Sequence, residues 1–160
     1  MRVVALLRSG WDIGLRLVRR AGWAPVSVVL LHLLLSQGLK LYRQFPHLDI
    51  PMHALGGIAM AYFLSRSFAA IPVAAIPPGG SREAIEALAV FTTTATGAVF
   101  WEFAEFICDH AFHSRAQGGN SDTMGDLAVG ISGCLLYLLV AWRRGRLGRI
   151  EPIVATESRS

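Results

Sequence analysis

The chain has 160 residues, of which 53% are hydrophobic and 16% charged, and its mean hydropathy is +0.47. Soluble domains run near a quarter charged, so these values argue against a water-soluble enzyme, and the length accommodates a single domain. Two cysteines, Cys108 and Cys134, exclude a disulfide framework or a four-thiolate metal site. The net charge of +4 does not call for nucleic acid as a partner, because the basic residues lie between apolar stretches and a membrane accounts for them.

Residues 1–22 form the first predicted element, a basic amphipathic helix. Val4, Leu7, Trp11, Leu15 and Val18 share one face, while Arg16, Arg19 and Arg20 lie off it. Its apolar core is too short for a signal peptide, and it fits an interfacial helix on an anionic leaflet. Residues 23–142 form the second unit, a transmembrane domain of four helices, each near the length that crosses about 30 Å of hydrocarbon. The first span is the uncharged run Ala21–Leu39, with His32 read as a buried, hydrogen-bonded residue. The second begins near Ile50 and runs to about Ser65, and Pro72, Pro77, Pro78, Gly79 and Gly80 break the apolar run beyond it. The third opens at Ser81–Glu83 and continues to about Cys108, with Glu83 and Glu86 in its first turn, where helix capping explains them. The fourth spans Asp122–Trp142 and stops at Arg143–Arg144. Residues 143–160 are expected as a basic, flexible cytoplasmic tail. The fold class is all-α: a polytopic four-helix membrane bundle with an interfacial N-terminal helix.

Twelve of the 15 basic residues fall on one side of this topology, leaving Lys40, Arg43 and Arg115 on the other. The positive-inside rule then makes both termini cytoplasmic. Six of the 11 acidic residues gather on the outer half: Asp49, Glu102, Glu105, Asp109, Asp122 and Asp126. Asp49 and His53 are four apart, Glu102, Glu105 and Asp109 follow an i, i+3, i+7 pattern, and Asp122 and Asp126 are again four apart, so each set shares a helix face. Three helices thus bring ionisable groups to one shallow depth, where they should face the bundle interior. Glu102, Glu105 and Asp109 sit at the predicted C-terminal end of their helix, where the dipole opposes negative charge, so a cation or protons must compensate. Three basic residues cannot balance six acids.

A carboxylate-rich cluster with one histidine suits a divalent cation such as Mg²⁺, Mn²⁺ or Zn²⁺, and no organic cofactor is evident. Asp49, His53, Glu102, Glu105, Asp109, Asp122 and Asp126 are the candidate ligands. His53, Glu102, Glu105 and Asp126 are the candidate catalytic groups, and Arg115 is the candidate to hold an anionic substrate headgroup. His110 and His113 are expected in the outer loop, where they are solvated or supply further donors. Gly56 and Gly57 on the second span, with Gly130 and Gly133 on the fourth, suit close helix packing. Trp101 reads as an interfacial aromatic.

Asp49-x3-His53-x3-Gly57, Trp101-Glu102-x2-Glu105 and Asp122-Thr123-x2-Asp126-Leu127 together resemble the VanZ-like family and the related YjdF-type inner-membrane proteins of bacteria, over about residues 45–140. That resemblance implies the same bundle and the same polar positions, and no particular reaction. Two functions are compatible with these features. One is metal-dependent modification of a lipid or lipid-linked envelope precursor; the other is non-enzymatic binding of a cation or amphiphile that protects the envelope. Membrane lipids are the expected partners, and a homo-oligomer is an open alternative.

Overall fold

The apolar runs become helices, and glycines within them mark one bend, at Gly22, and the closest helix contact, at Gly57. The computed structural model describes residues 14–70, 80–112 and 117–150, and among these only helices and short connections occur. Helix α1, Gly14–Ala21, meets the segment Trp23–Gly38 at a bend of 59°. At the bend, the Gly22 N–H donates to the Val18 carbonyl at 2.8 Å, and a Cβ at Gly22 would stand 2.6 Å from that oxygen. Of the expected N-terminal helix, residues 1–13 lie outside the described residues. Helix α2, Trp23–Leu33, continues as a π-turn over Leu34–Gly38, and Lys40 in the left-handed region (φ 53°) ends it. Two short 3₁₀ turns then lead to α3, Asp49–Ala69. Helix α4 covers Gly80–Phe112 and α5 covers Asn120–Arg143.

Helix α3 is central, touching α2, α4 and α5, and lies closest to α5. The closeness is a matter of missing side chains. A Cβ on Gly57 would collide with the Gly130 carbonyl, and one on Gly133 would collide with the Ala54 carbonyl. Gly57, Gly130 and Gly133 therefore pack as expected, but Gly56 does not: a Cβ there meets nothing within 4 Å. Helices α4 and α5 are each long and apolar enough to cross a membrane, and the bent α1–α2 pair makes a third if taken as one broken span. Helix α3, expected as a fourth, falls short of that measure because Asp49, His53 and Arg66 lie within it.

The end of the bundle remote from His53 closes over a dry cluster of Ala61, Val90, Cys134, Leu138, Ala141 and Leu147. Leu147 arrives there because α5 stops in a Schellman arrangement. Gly145 (φ 57°) donates to the Trp142 carbonyl at 2.8 Å and Arg146 to the Ala141 carbonyl at 2.9 Å. The chain then turns back, and the Gly148 N–H donates to Glu86 Oε2 at 2.7 Å while Ser65 Oγ donates to Oε1 at 2.6 Å. Two expectations change. The segment following Arg143 is docked at least to Gly148, and residues 151–160 lie outside the described residues. Glu86 is no helix cap: it is fully buried, as is Arg82, whose guanidinium lies 5.2 Å from the Phe68 ring centroid. Burial removes both side chains from solvent, and the hydrogen bonds to Glu86 tie α3, α4 and the returning chain together.

Candidate functional site

At the opposite end, His53 stands one turn inside α3, stacked on Asp49 by the four-residue spacing. Its Nε2 lies 3.5 Å from Asp49 Oδ2 and 3.8 Å from Asp126 Oδ1, and its Nδ1 lies 3.9 Å from Glu102 Oε1. One imidazole thus faces carboxylates of three helices. Ligand atoms of Asp49, His53 and Asp126 lie within 4.8 Å of one another, and those of His53, Glu102 and Glu105 do likewise. The close α3–α5 contact places this: His53 is one turn from Gly57, and Asp126 one turn from Gly130.

The cluster is buried. Glu102, Glu105 and Asp126 are 4%, 7% and 4% exposed, and no lysine or arginine pairs with these carboxylates or with Asp49 among the described residues. Glu105 accepts a 2.8 Å hydrogen bond from the Trp101 indole N–H. In contrast, Asp49 Oδ1, His53 Nε2 and Glu102 Oε2 are buried without a hydrogen-bond partner. A buried polar atom without a hydrogen bond costs about 1–3 kcal/mol, and two carboxylate oxygens and one imidazole nitrogen of this kind converge in one place. The arrangement has the chemistry of a hard-cation site, with oxygen donors and one imidazole. Each ring nitrogen of His53 also faces a carboxylate within 4 Å, Nε2 that of Asp49 and Nδ1 that of Glu102.

The structure gathers Asp49, His53, Glu102, Glu105 and Asp126, and leaves Asp109 and Asp122 outside both groups. Asp109 Oδ2 accepts from the Gln117 N–H at 2.9 Å, and Asp122 Oδ2 accepts from the Gly118 N–H at 2.9 Å. These two acids hold the loop before α5, and Gln117 Nε2 adds a 2.8 Å bond to Thr123 Oγ. Arg115 and His113 lie outside the described residues. His110 is exposed and bonds its own helix, with Nδ1 2.8 Å from the Phe106 carbonyl. Glu102 is also not at the helix end expected for it. Because α4 runs to Phe112, Glu102 is about 15 Å from the terminus, beyond the reach of the dipole.

Two site residues carried a different sequence reading. Trp101 is an inward group rather than an interfacial one: besides holding Glu105, its ring meets His32 edge-on at 5.1 Å. His32 in turn lies 3.2 Å from the Tyr42 hydroxyl through Nδ1. Burial, and then the Asp49 and Glu105 carboxylates, push the Tyr42 phenol up, so it stays protonated and available as a donor. Next to His53, His32 and Trp101 lies a pocket of about 130 Å³ between α2, α3 and α4. The one sequence signal for His32 was a polar ring in mid-span just before a Ser-Gln-Gly turn.

A family model described as "Predicted membrane protein (DUF2238)" matches residues 5–146. No curated protein and no solved structure matches.

Proposed function

The chain belongs to the DUF2238 family of predicted membrane proteins, and from that premise we propose that it is a four-span protein holding a divalent cation at its His53 end. Asp49, His53 Nε2 and Asp126 are the ligands. Glu102 fixes the imidazole from the Nδ1 side, and Glu105, held by Trp101, completes the negative shell. The observation that carries this reading is the convergence of three buried, unpartnered atoms, Asp49 Oδ1, His53 Nε2 and Glu102 Oε2, in one cluster. Mg²⁺, Mn²⁺ or Zn²⁺ suits such donors.

Helix α3 serves as the fourth span. Its 21 residues reach about 31 Å, and because three helices cover it, it tolerates polar groups that a lipid-facing helix would not. The basic residues set both termini on the cytoplasmic side of an inner membrane, with the His53 end outward. The VanZ-like and YjdF-type order of motifs is consistent with the same placement.

The reaction this centre suits is modification of a lipid or lipid-linked envelope precursor at the outer leaflet. A bound cation would polarise a phosphoryl or acyl oxygen, and Glu102, beside His53, would serve as the base. Cells lacking the protein are complemented with wild type, His53→Ala or Glu102→Gln, and lipid and precursor pools are compared. Wild type alone should restore the pools. Full restoration by both variants would overturn the enzymatic reading and leave cation or amphiphile binding.

A further inference from the structure

Three glycines inside helices, Gly56, Gly97 and Gly125, have no packing reason to be glycine, and the first two border one pocket. Gly56 on α3 and Gly97 on α4 have helical backbones, and a Cβ on either meets nothing within 4 Å. In a helix interior, glycine costs about 1 kcal/mol relative to alanine, and Gly57 and Gly133 offset that with backbone contact. Gly56 and Gly97 have no such contact, and both line the pocket beside the candidate site, which Gly57 and Gly130 also border. They preserve space.

The wall of that space is mostly apolar, with His32, His53 and Trp101 gathered at one end and a single hydroxyl, that of Thr94, towards the other. Helix α2 contributes Pro25, Val28, Val29 and His32; α3 contributes Met52, His53 and Met60; α4 contributes Thr94 and Trp101. On each helix the pocket extends for seven or eight residues, about 10–12 Å. His32, His53 and Trp101 stand at one end, and Pro25 and Met60 at the other. His53, with its side chain 10% exposed and Nε2 unpartnered, borders the polar end.

We infer that this pocket seats one hydrocarbon chain of a membrane lipid, with the lipid's head oxygens at His53 and the chain running between α2, α3 and α4 towards Met60. At this depth the surrounding solvent is itself hydrocarbon, so an apolar slot with one polar end matches a lipid and not a soluble metabolite. Two flexible methionines at 52 and 60 adapt the wall to a chain of variable shape. The seat rests on the proposed cation centre only for the head; the chain's place rests on the glycines and the pocket. Acyl and isoprenyl chains share this chemistry.

The test uses the full chain in detergent, with two probes: phosphatidylglycerol carrying a diazirine in one acyl chain, and a polyprenyl phosphate carrying a diazirine near its head. After illumination, labelled residues are mapped by mass spectrometry, and metal content is measured on the same samples. At least one probe should label Met52, Met60 or Val28. The Gly56→Leu/Gly97→Leu pair should cut that labelling at least tenfold without lowering the melting temperature. Gly125→Leu, at an exposed glycine of α5 that also has open space around its Cβ, should leave the labelling intact. Labelling by the acyl or the prenyl probe alone assigns the chain type. Labelling only of outward residues such as Val99 and Phe103, or labelling indifferent to the leucine pair, would overturn the seat. Full metal content without pocket labelling overturns the seat alone, and pocket labelling without metal overturns the cation centre alone.

Discussion

Adjacent glycines on α3 should respond to the same methyl group with opposite sign. In Gly57→Ala the new Cβ meets the Gly130 carbonyl, with the carbonyl carbon at 2.9 Å and the Cys134 amide nitrogen at 3.2 Å. These are backbone atoms of α5, so no rotamer change relieves them, and the helices must separate. Overpacking of this kind costs about 1–3 kcal/mol. For a chain of this length each kcal/mol moves the melting temperature by about 2–4 °C, so Gly57→Ala should melt lower by about 2–12 °C on the same scaling. The separation also reaches the site, because His53 and Asp126 are each one turn from the contact and their 3.8 Å approach lengthens with it. Bound metal should therefore fall together with stability. In Gly56→Ala the methyl enters open space and the helix gains about 0.5–1 kcal/mol, so the melting temperature should rise slightly with metal content unchanged. Thermal unfolding of the detergent-purified proteins, with elemental analysis of the same preparations, measures both. Shifts of the same sign, or Gly57→Ala melting as wild type with full metal, would refute the reasoning from backbone contact.

Three other contacts lead to further expected outcomes. Trp101→Phe keeps the ring but removes the donor to Glu105, so metal affinity, read by competition with a chelator, should weaken by about 10–100-fold. Asp122→Ala removes the bond to the Gly118 N–H, which should lower stability by about 0.5–2 kcal/mol and leave metal stoichiometry unchanged in elemental analysis. Glu86→Ala strands the Gly148 N–H and the Ser65 hydroxyl together. It should destabilise by about 1–3 kcal/mol for each stranded group, and limited proteolysis should release the segment after Arg143.

The helices were largely legible in the sequence. Ser81–Glu83 falls in the first described turn of α4, and Arg143–Arg144 marked the end of α5. That acids from three helices share one depth was also legible, because the rise per residue converts position into height. Which acids converge was not. In a chain apolar on every side, periodicity does not report how each helix is rotated against its neighbours. Spacing therefore could not separate Glu105, turned inward to Trp101, from Asp109, turned to the loop at Gln117. The same blindness joined Gly56 to Gly57, although both border the pocket and only Gly57 meets the α5 backbone. Glu86 was beyond local reasoning, since its partner Gly148 lies 62 residues away.

Whether the His53 cluster holds one divalent cation is tested most directly by elemental analysis of the purified chain beside an Asp49→Asn/Asp126→Asn variant. A single converging ligand set predicts about one divalent ion per wild-type chain, and loss of that ion from a variant that remains folded. Wild-type chain without a stoichiometric metal, or a variant that retains it in full, would contradict the cation centre.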